Sequence, residues 1–387
     1  MSRSIHLAED TITKSELTEL SEWMLAGNRL TKSHETVLFE EEFAKWMGSR
    51  YAVFVNSGSS ANLLMIYAQK ELGRLKNMRA IAPAVSWVTT VSPLLQFGFD
   101  TKLCDCDNST LGLDLDHLET LCREHDPSVL ILVHVLGHSN NVAEIKQICD
   151  KYDIILLEDS CEALGSEYRG AKLGTLGNAG SFSFYYGHHI STIEGGMVVT
   201  DDYELYQMML SLRSHGWSRD LAHEKREALT KEYSVDEFRN LYTFYHAGFN
   251  LRSTDLQARL GRSQLTKLGA IAKVREQNFE EYRSGLQDFF VQTSEADPLS
   301  SFAYGTFVQN RLEVYEHLKA NEIECRPLIC GNIARHPFWL TANGPENLPN
   351  ADTVHDFGIY LPNHHNLNSK DIDRVTRVFL EVARPKN

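Results

Sequence analysis

No two of the seven cysteines are spaced as Cys-x-x-Cys, so the usual signature of a structural zinc site or a thioredoxin-like redox centre is missing and no metal is expected. Their odd number gives no disulfide framework, and a reducing cytoplasm is the expected home. No run of about 18 apolar residues occurs, so no membrane partner or membrane span is expected. Residues 1–20 are polar and lack the apolar centre of a secretory signal. Basic residues are the scarcer charge, 38 Lys plus Arg against 52 Asp plus Glu for a formal net charge of -14. That balance argues against a nucleic-acid partner, because phosphate backbones require a basic footprint. It leaves room for a small anionic substrate held by a local arginine cluster.

What is present is an ordinary globular pattern, 42% hydrophobic and 23% charged over 387 residues. That length suits two domains, a large one over residues 1–262 and a smaller one over 263–387. From about residue 35 to 262, short apolar runs alternate with helical patterns. Tyr51–Val55, Val129–Val135, Ile154–Leu157, Ser181–Tyr185 and Met197–Thr200 read as strands, which implies an α/β domain on a mostly parallel sheet. The charged segment 221–245 lacks a clear strand and reads as a surface excursion. One long helix is expected from about Thr254 into the 280s. The last hundred residues mix strands and helices and end in an amphipathic helix over Asp371–Val382.

Three places carry chemistry. Asn56-Ser57-Gly58-Ser59-Ser60 follows a strand and opens a helix, where backbone N–H groups and the helix dipole can hold an anion; taken alone, the motif reads more readily as a plain serine cap on a βα turn. Ile154–Leu157 runs into Glu158-Asp159, an acid at the carboxyl end of a strand, where ligands of open α/β sheets bind. Glu162 follows, placed either to contact that site or to close a capping box with Asp159. The third place is Ser183-Phe184-Tyr185-Tyr186-Gly187-His188-His189, with His188 six residues before Glu194-Gly195-Gly196.

Together these segments resemble the DegT/DnrJ/EryC1 family of sugar aminotransferases, a branch of the fold-type-I pyridoxal-phosphate enzymes. The family places a lysine five residues after a phosphate-binding serine and six before Glu-Gly-Gly; here Ser183 and Glu194 set that register and His188 falls on the lysine. Ser57-Gly58-Ser59-Ser60 matches the family phosphate loop, and Pro83-Ala84-Val85-Ser86-Trp87 places Trp87 as the aromatic plate on the cofactor ring. Glu158-Asp159-Ser160-Cys161-Glu162 matches the strand carrying the ring-nitrogen aspartate. Gly248-Phe249-Asn250-Leu251-Arg252 matches a segment whose asparagine reaches the partner subunit's cofactor, and Ile323-Glu324-Cys325-Arg326-Pro327 also fits. The resemblance spans about residues 35 to 265. Two departures stand out: Asp255 lies where the family usually carries Glu, and Leu30–Glu35 lacks the family's glycine-containing turn.

The resemblance implies an aspartate-aminotransferase-like fold, with a mostly parallel sheet and a smaller α+β C-terminal domain. It implies pyridoxal 5′-phosphate or its aminated form, pyridoxamine 5′-phosphate, as cofactor. Gly58, Ser59, Trp87, Asp159, Glu162, Ser183 and Asn250 are its expected contacts. A histidine at the lysine position resembles the 3-dehydratase branch, which removes the C3 hydroxyl of a nucleotide-linked 4-keto-6-deoxy sugar such as a GDP-linked 4-keto-6-deoxymannose, in deoxysugar and O-antigen synthesis. A second histidine branch carries an iron–sulfur cluster, which takes four cysteines; no cysteine lies between Cys161 and Cys325, where that branch keeps its ligands. An imidazole has no primary amine to condense with the cofactor aldehyde, so the cofactor is expected untethered, with L-glutamate supplying the amine. His188 is the expected acid and base. His215, Arg219 and Arg326 are candidate substrate or interface residues, with His189 beside them, and a homodimer is expected. The alternatives are a sugar aminotransferase of unusual mechanism and a non-catalytic binding protein on the same fold.

Overall fold

The apolar runs build one twisted sheet. The computed structural model describes residues 3–386. Its first strands are β1 (Tyr51–Val55), β2 (Arg79–Pro83), β3 (Asp100–Cys104), β4 (Val129–Val133) and β5 (Ile155–Asp159). A small hairpin, β6 (Glu167–Tyr168) with β7 (Ala171–Lys172), precedes β8 (Ala179–Ser183) and β9 (Gly196–Thr200). The seven-stranded order is β1-β9-β8-β5-β4-β2-β3. Only β9 opposes its neighbours, β1 and β8; the other pairs are parallel. β4 is buried at every position, as expected for a strand covered on both faces, and so reads as a continuous apolar run. β2 and β3 escape the sequence reading because one begins with Arg79 and ends in proline, and the other lies at the sheet edge with alternating exposure.

The helices α1 (Lys14–Leu25) and α2 (His34–Met47) precede the sheet, and α3 (Gly58–Glu71), α4 (Val88–Gln96), α5 (Leu115–His125), α6 (Val142–Tyr152) and α7 (Tyr203–Arg213) connect its strands or follow them. On one face Leu64, Met65 and Val91 pack with Ala82, Ile131 and Val198. On the other, Ile81, Leu130, Leu132 and Leu156 meet Leu118 and Cys122 of α5 and Ile145 and Cys149 of α6. The alternation of neighbouring strand residues between two cores follows from the two-residue period of a strand. The excursion at 221–245 holds α8 (His223–Glu232) and α9 (Glu237–Asn240), neither with a buried residue.

The expected long helix is two helices, α10 (Asp255–Leu265) and α11 (Leu268–Gly285). Lys267 sits at the break, and its ammonium donates to the Thr11 carbonyl and the Glu16 carboxylate, both at 2.7 Å. The chain there is tied to the N-terminal segment, an interaction no local propensity encodes. The C-terminal part contains β10 (Tyr304–Phe307), α12 (Arg311–Ala320), β11 (Arg326–Pro327), α13 (Pro337–Asn343), α14 (Pro349–Phe357), β12 (Gly358–Leu361) and α15 (Ser369–Leu380). Its sheet is antiparallel in the order β10-β12-β11. A separate core of Phe279, Tyr282, Val314, Leu318, Val375 and Phe379 holds α11, α12 and α15 together, and Ile5 of the N-terminal segment joins it. α15 begins earlier than its apolar stripe because Asn368 and Asp371 close a capping box. Among the described residues no helix is long and apolar enough to cross a membrane.

Candidate active site

Strand ends and one helix start converge on a cavity of about 350 Å³. At one end β1 runs into α3. The Ser57 hydroxyl caps this helix, accepting from the Ser60 amide at 3.0 Å, so the capping reading holds. It leaves other first-turn N–H groups, those of Gly58 and Ser59, to meet an anion. Gly58 is obligatory on steric grounds: a Cβ there would stand 2.6 Å from the Ser183 Cβ and 3.0 Å from its hydroxyl oxygen. Gly196 does the same for β9, where a Cβ would lie 2.2 Å from the Ser57 carbonyl oxygen. The second glycine of Glu194-Gly195-Gly196 thus lets β9 pass beneath the anion loop and brings Ser183 to it.

At the other end Asp159 closes β5. Its Oδ2 accepts from the Asn62 amide and the Thr90 hydroxyl, both at 2.7 Å, and its Oδ1 accepts from the Cys161 N–H at 3.2 Å. Asn62 is itself oriented by the Ser181 hydroxyl, which donates to its side-chain oxygen at 2.5 Å. A carboxylate has about four acceptor sites, so three donors aim this one and leave capacity for a donor in the cavity. Trp87, at the N-cap of α4, lines the cavity with 57% of its surface exposed. Glu162 also lines it. Burial, with a smaller push from Asp159, raises the Glu162 carboxyl to about 8, and it accepts from the Leu136 N–H at 2.8 Å. The capping box with Asp159 does not form, because the chain after β5 enters a turn instead of a helix.

His188 lies in the turn after β8, its N–H donating to the Tyr185 carbonyl at 2.9 Å. Its ring sits 5.3 Å from that of Phe302 and 6.3 Å from that of Tyr185. Nδ1 is buried without a partner, and the residue lines the cavity. Burial first, then the Arg275 charge, push the imidazole down to about 4, so it is neutral, and able to take a proton, at neutral pH. His189 points elsewhere: it is buried and its Nε2 donates to the Ser300 carbonyl at 3.0 Å. Arg326 and Tyr360, from β11 and β12, also line the cavity.

The cavity therefore collects His188, Gly58, Ser59, Trp87, Asp159, Glu162, Ser183 and Arg326. It does not contain Asn250, Arg219 or His215. Asn250 and Arg219 line a second cavity of about 500 Å³ with Arg29, Lys32 and Arg252, and His215 contacts Arg252 at 3.3 Å. Asp255, one of the departures from the family pattern, caps α2, accepting from the Ser33 and Thr36 amides at 2.6 and 3.1 Å. Sequence reasoning missed Asn62, Thr90, Phe302 and Tyr360. Asn62 was findable, as a polar residue inside the apolar run Ala61–Ile66; the others carry no local signal.

Residues 11–379 match the DegT/DnrJ/EryC1/StrS aminotransferase family. The chain belongs to that family. GDP-4-keto-6-deoxy-D-mannose 3-dehydratase of Escherichia coli O55:H7 is 37% identical over 356 residues, 88% of this chain and 90% of that protein. A crystal structure of GDP-4-keto-6-deoxymannose-3-dehydratase with a trapped PLP-glutamate geminal diamine superposes with a TM-score of 0.88 at 32% identity, over 97% of this chain and 100% of the other. A histidine-to-asparagine variant of that dehydratase with bound GDP-perosamine superposes at 0.89 with 34% identity, over the same shares of the two chains. The fold is thus that of the pyridoxal-phosphate aminotransferases, as the sequence resemblance implied.

Proposed function

We propose that this chain is a pyridoxal-phosphate-dependent 3-dehydratase that removes the C3 hydroxyl of a nucleotide-linked 4-keto-6-deoxy sugar, GDP-4-keto-6-deoxymannose or a close analogue. L-glutamate is the amino donor, and the setting is cytoplasmic deoxysugar synthesis. The observation that carries this reading is His188, an imidazole at the cavity wall in the register where the family places its lysine. Similarity to the named dehydratases supports it. The sterically enforced Gly58–Ser183 contact and the aimed Asp159 carboxylate fit a molecule with a phosphate at one end and a pyridine nitrogen at the other.

When bound, the aminated cofactor supplies an electron sink through which the hydroxyl can leave. The Gly58 and Ser59 N–H groups and the Ser183 hydroxyl would hold its phosphate. Trp87 would cover its ring, and Asp159 would keep a proton on its ring nitrogen. Glu162, kept protonated by burial, is a hydrogen-bond donor within the site. With the group bound, His188 would be the residue to take a proton from its C4′ carbon and give one to the departing hydroxyl oxygen. Arg326 lies where it can meet the substrate's negative charge. In the proposed division, residues 1–262 hold the cofactor and residues 263–387 bring Arg326 and Tyr360 to it. We further assign Asn250, Arg219 and His215 to the site of a partner subunit in a homodimer, since they lie outside the cavity of their own chain. Incubation with cofactor, glutamate and GDP-4-keto-6-deoxymannose should release ammonia and yield a 4-keto-3,6-dideoxy product by mass. A product that retains the amine would replace this reading with a transaminase.

A further inference from the structure

Arg275, on α11, is 2% exposed. No carboxylate pairs with it among the described residues, and burial alone governs its basicity, pushing it down to about 9, which still leaves it cationic at neutral pH. Its guanidinium donates to backbone carbonyls: Phe302 at 2.9 Å, Ser301 at 3.4 Å, Asn363, and His188 at 3.5 Å, while Nε has no partner. These carbonyls belong to three separate segments, the turn carrying His188, the stretch before β10 and the stretch after β12. A buried cation without a counter-ion is costly. A neutral donor could bond the same carbonyls without that cost, so the charge itself calls for an explanation.

The surroundings supply one. Four histidines, His188, His189, His364 and His365, each have a buried ring nitrogen without a partner. Each is pushed down by burial first and by the Arg275 charge second. We propose that Arg275 is a positioning residue for the reaction: it pins the turn that carries His188 and holds that imidazole unprotonated, so that it meets the substrate as a base. The proposal rests on the reading of His188 given above.

The other titratable groups facing His188 do not take over this role. Tyr185 comes from its own turn, Asp159 and Glu162 from the end of β5, Glu194 from the loop before β9, and Arg326 and Tyr360 from the small sheet. Asp159 is engaged by three donors, and Glu162 is held protonated near neutral pH. Arg275 is not among the residues lining the cavity, reaches the turn through the His188 carbonyl, and is the charge that adds to burial at His188.

The test is a titration of the histidine rings by nitrogen-15 magnetic resonance in the full chain, with and without pyridoxal phosphate, His188 being assigned by its loss in His188→Asn. His188 should remain neutral from about pH 8 down to about pH 5. In Arg275→Gln its midpoint should rise by about one pH unit or more, and the acid limb of kcat/KM should move up with it. A native His188 midpoint at or above the ordinary histidine value overturns the proposal without any variant. So does an unmoved midpoint in Arg275→Gln, whatever happens to turnover, since Arg275 would then only pack. Undiminished dehydration by His188→Asn alongside a shifted midpoint would instead remove His188 as the base, and with it the catalytic half of the proposal.

Discussion

A single side chain separates the expected chemistry from transamination. Lysine forms a reducible imine with an aldehyde, and imidazole does not. Native protein treated with pyridoxal phosphate and borohydride should therefore carry no adduct at residue 188, whereas His188→Lys should gain one, read by peptide mass. His188→Asn keeps a polar group of similar reach but takes no proton near neutral pH. Its dehydration rate should fall by about 10²–10⁴-fold, the usual worth of general acid–base catalysis, with cofactor still bound. A rate within a few-fold of native would show that another group moves the proton. At Gly58 the argument is steric. Gly58→Ala places a methyl 2.6 Å from the Ser183 Cβ, and the helix start must shift by several tenths of an ångström. Equilibrium dialysis should show markedly weaker pyridoxal-phosphate binding than in native protein, with the far-ultraviolet spectrum unchanged. Native affinity in that variant would mean that the phosphate does not sit on this loop.

At the scale of elements, the cavity depends on how α2, β1 and α7 are locked together. Arg213, 1% exposed at the end of α7, donates to the Glu40 carboxylate of α2 and to the Phe54 carbonyl of β1 at 2.8 Å. Glu40 also accepts from the Phe54 N–H at 2.7 Å. Burial raises the Glu40 carboxyl, and Arg213 is the largest opposing influence. Removing one partner of such a buried pair strands the other charge, which costs about 3–5 kcal/mol. Arg213→Leu should lower the unfolding free energy by that order in denaturant titrations. Arg213→Leu with Glu40→Leu should recover part of the loss, because no lone charge remains. A single variant with native stability would mean the pair is solvated in solution.

At the scale of the molecule, pH and assembly give two tests. His138 and His364 are pushed down to about 3, and His188 and His365 to about 4, each by burial first. The unfolded chain binds protons at these residues near pH 6.5, whereas the folded chain does not until much lower. Stability from these four groups is thus fully present above about pH 6.5 and is lost as pH falls towards 4. Both ring nitrogens of His138 lack partners, and its ring packs on Phe279 at 5.1 Å. His138→Phe should therefore flatten the acid slope by about one proton. An unchanged slope would place His138 in water. For assembly, a shared site implies complementation. His188→Asn and Asn250→Ala should each be inactive alone, and co-refolded mixtures should regain activity through mixed dimers with one intact site. Light scattering should give twice the chain mass. A mixture that stays inactive despite dimerising would confine each site to one chain.

The cavity-lining residues legible in the sequence were those whose expected chemistry is tied to a local register: the small loop from Ser57 to Ser60, Asp159 at a strand end, and His188 between Ser183 and Glu194. Short continuous apolar runs likewise placed β1, β4, β5, β8 and β9, because a strand covered on both faces must be apolar throughout. Tertiary structure decided the rest, for reasons that act across the chain. The expected long helix is two helices, and Lys267 at their junction bonds to Thr11 and Glu16 of the distant N-terminal segment. Thr90, Phe302 and Tyr360 reach the cavity only because separate segments fold onto it. Arg275 gains its meaning from carbonyls and histidines up to 90 residues away in sequence, since a charge that is ordinary in water becomes a strong field once burial removes its solvent and no carboxylate replaces it.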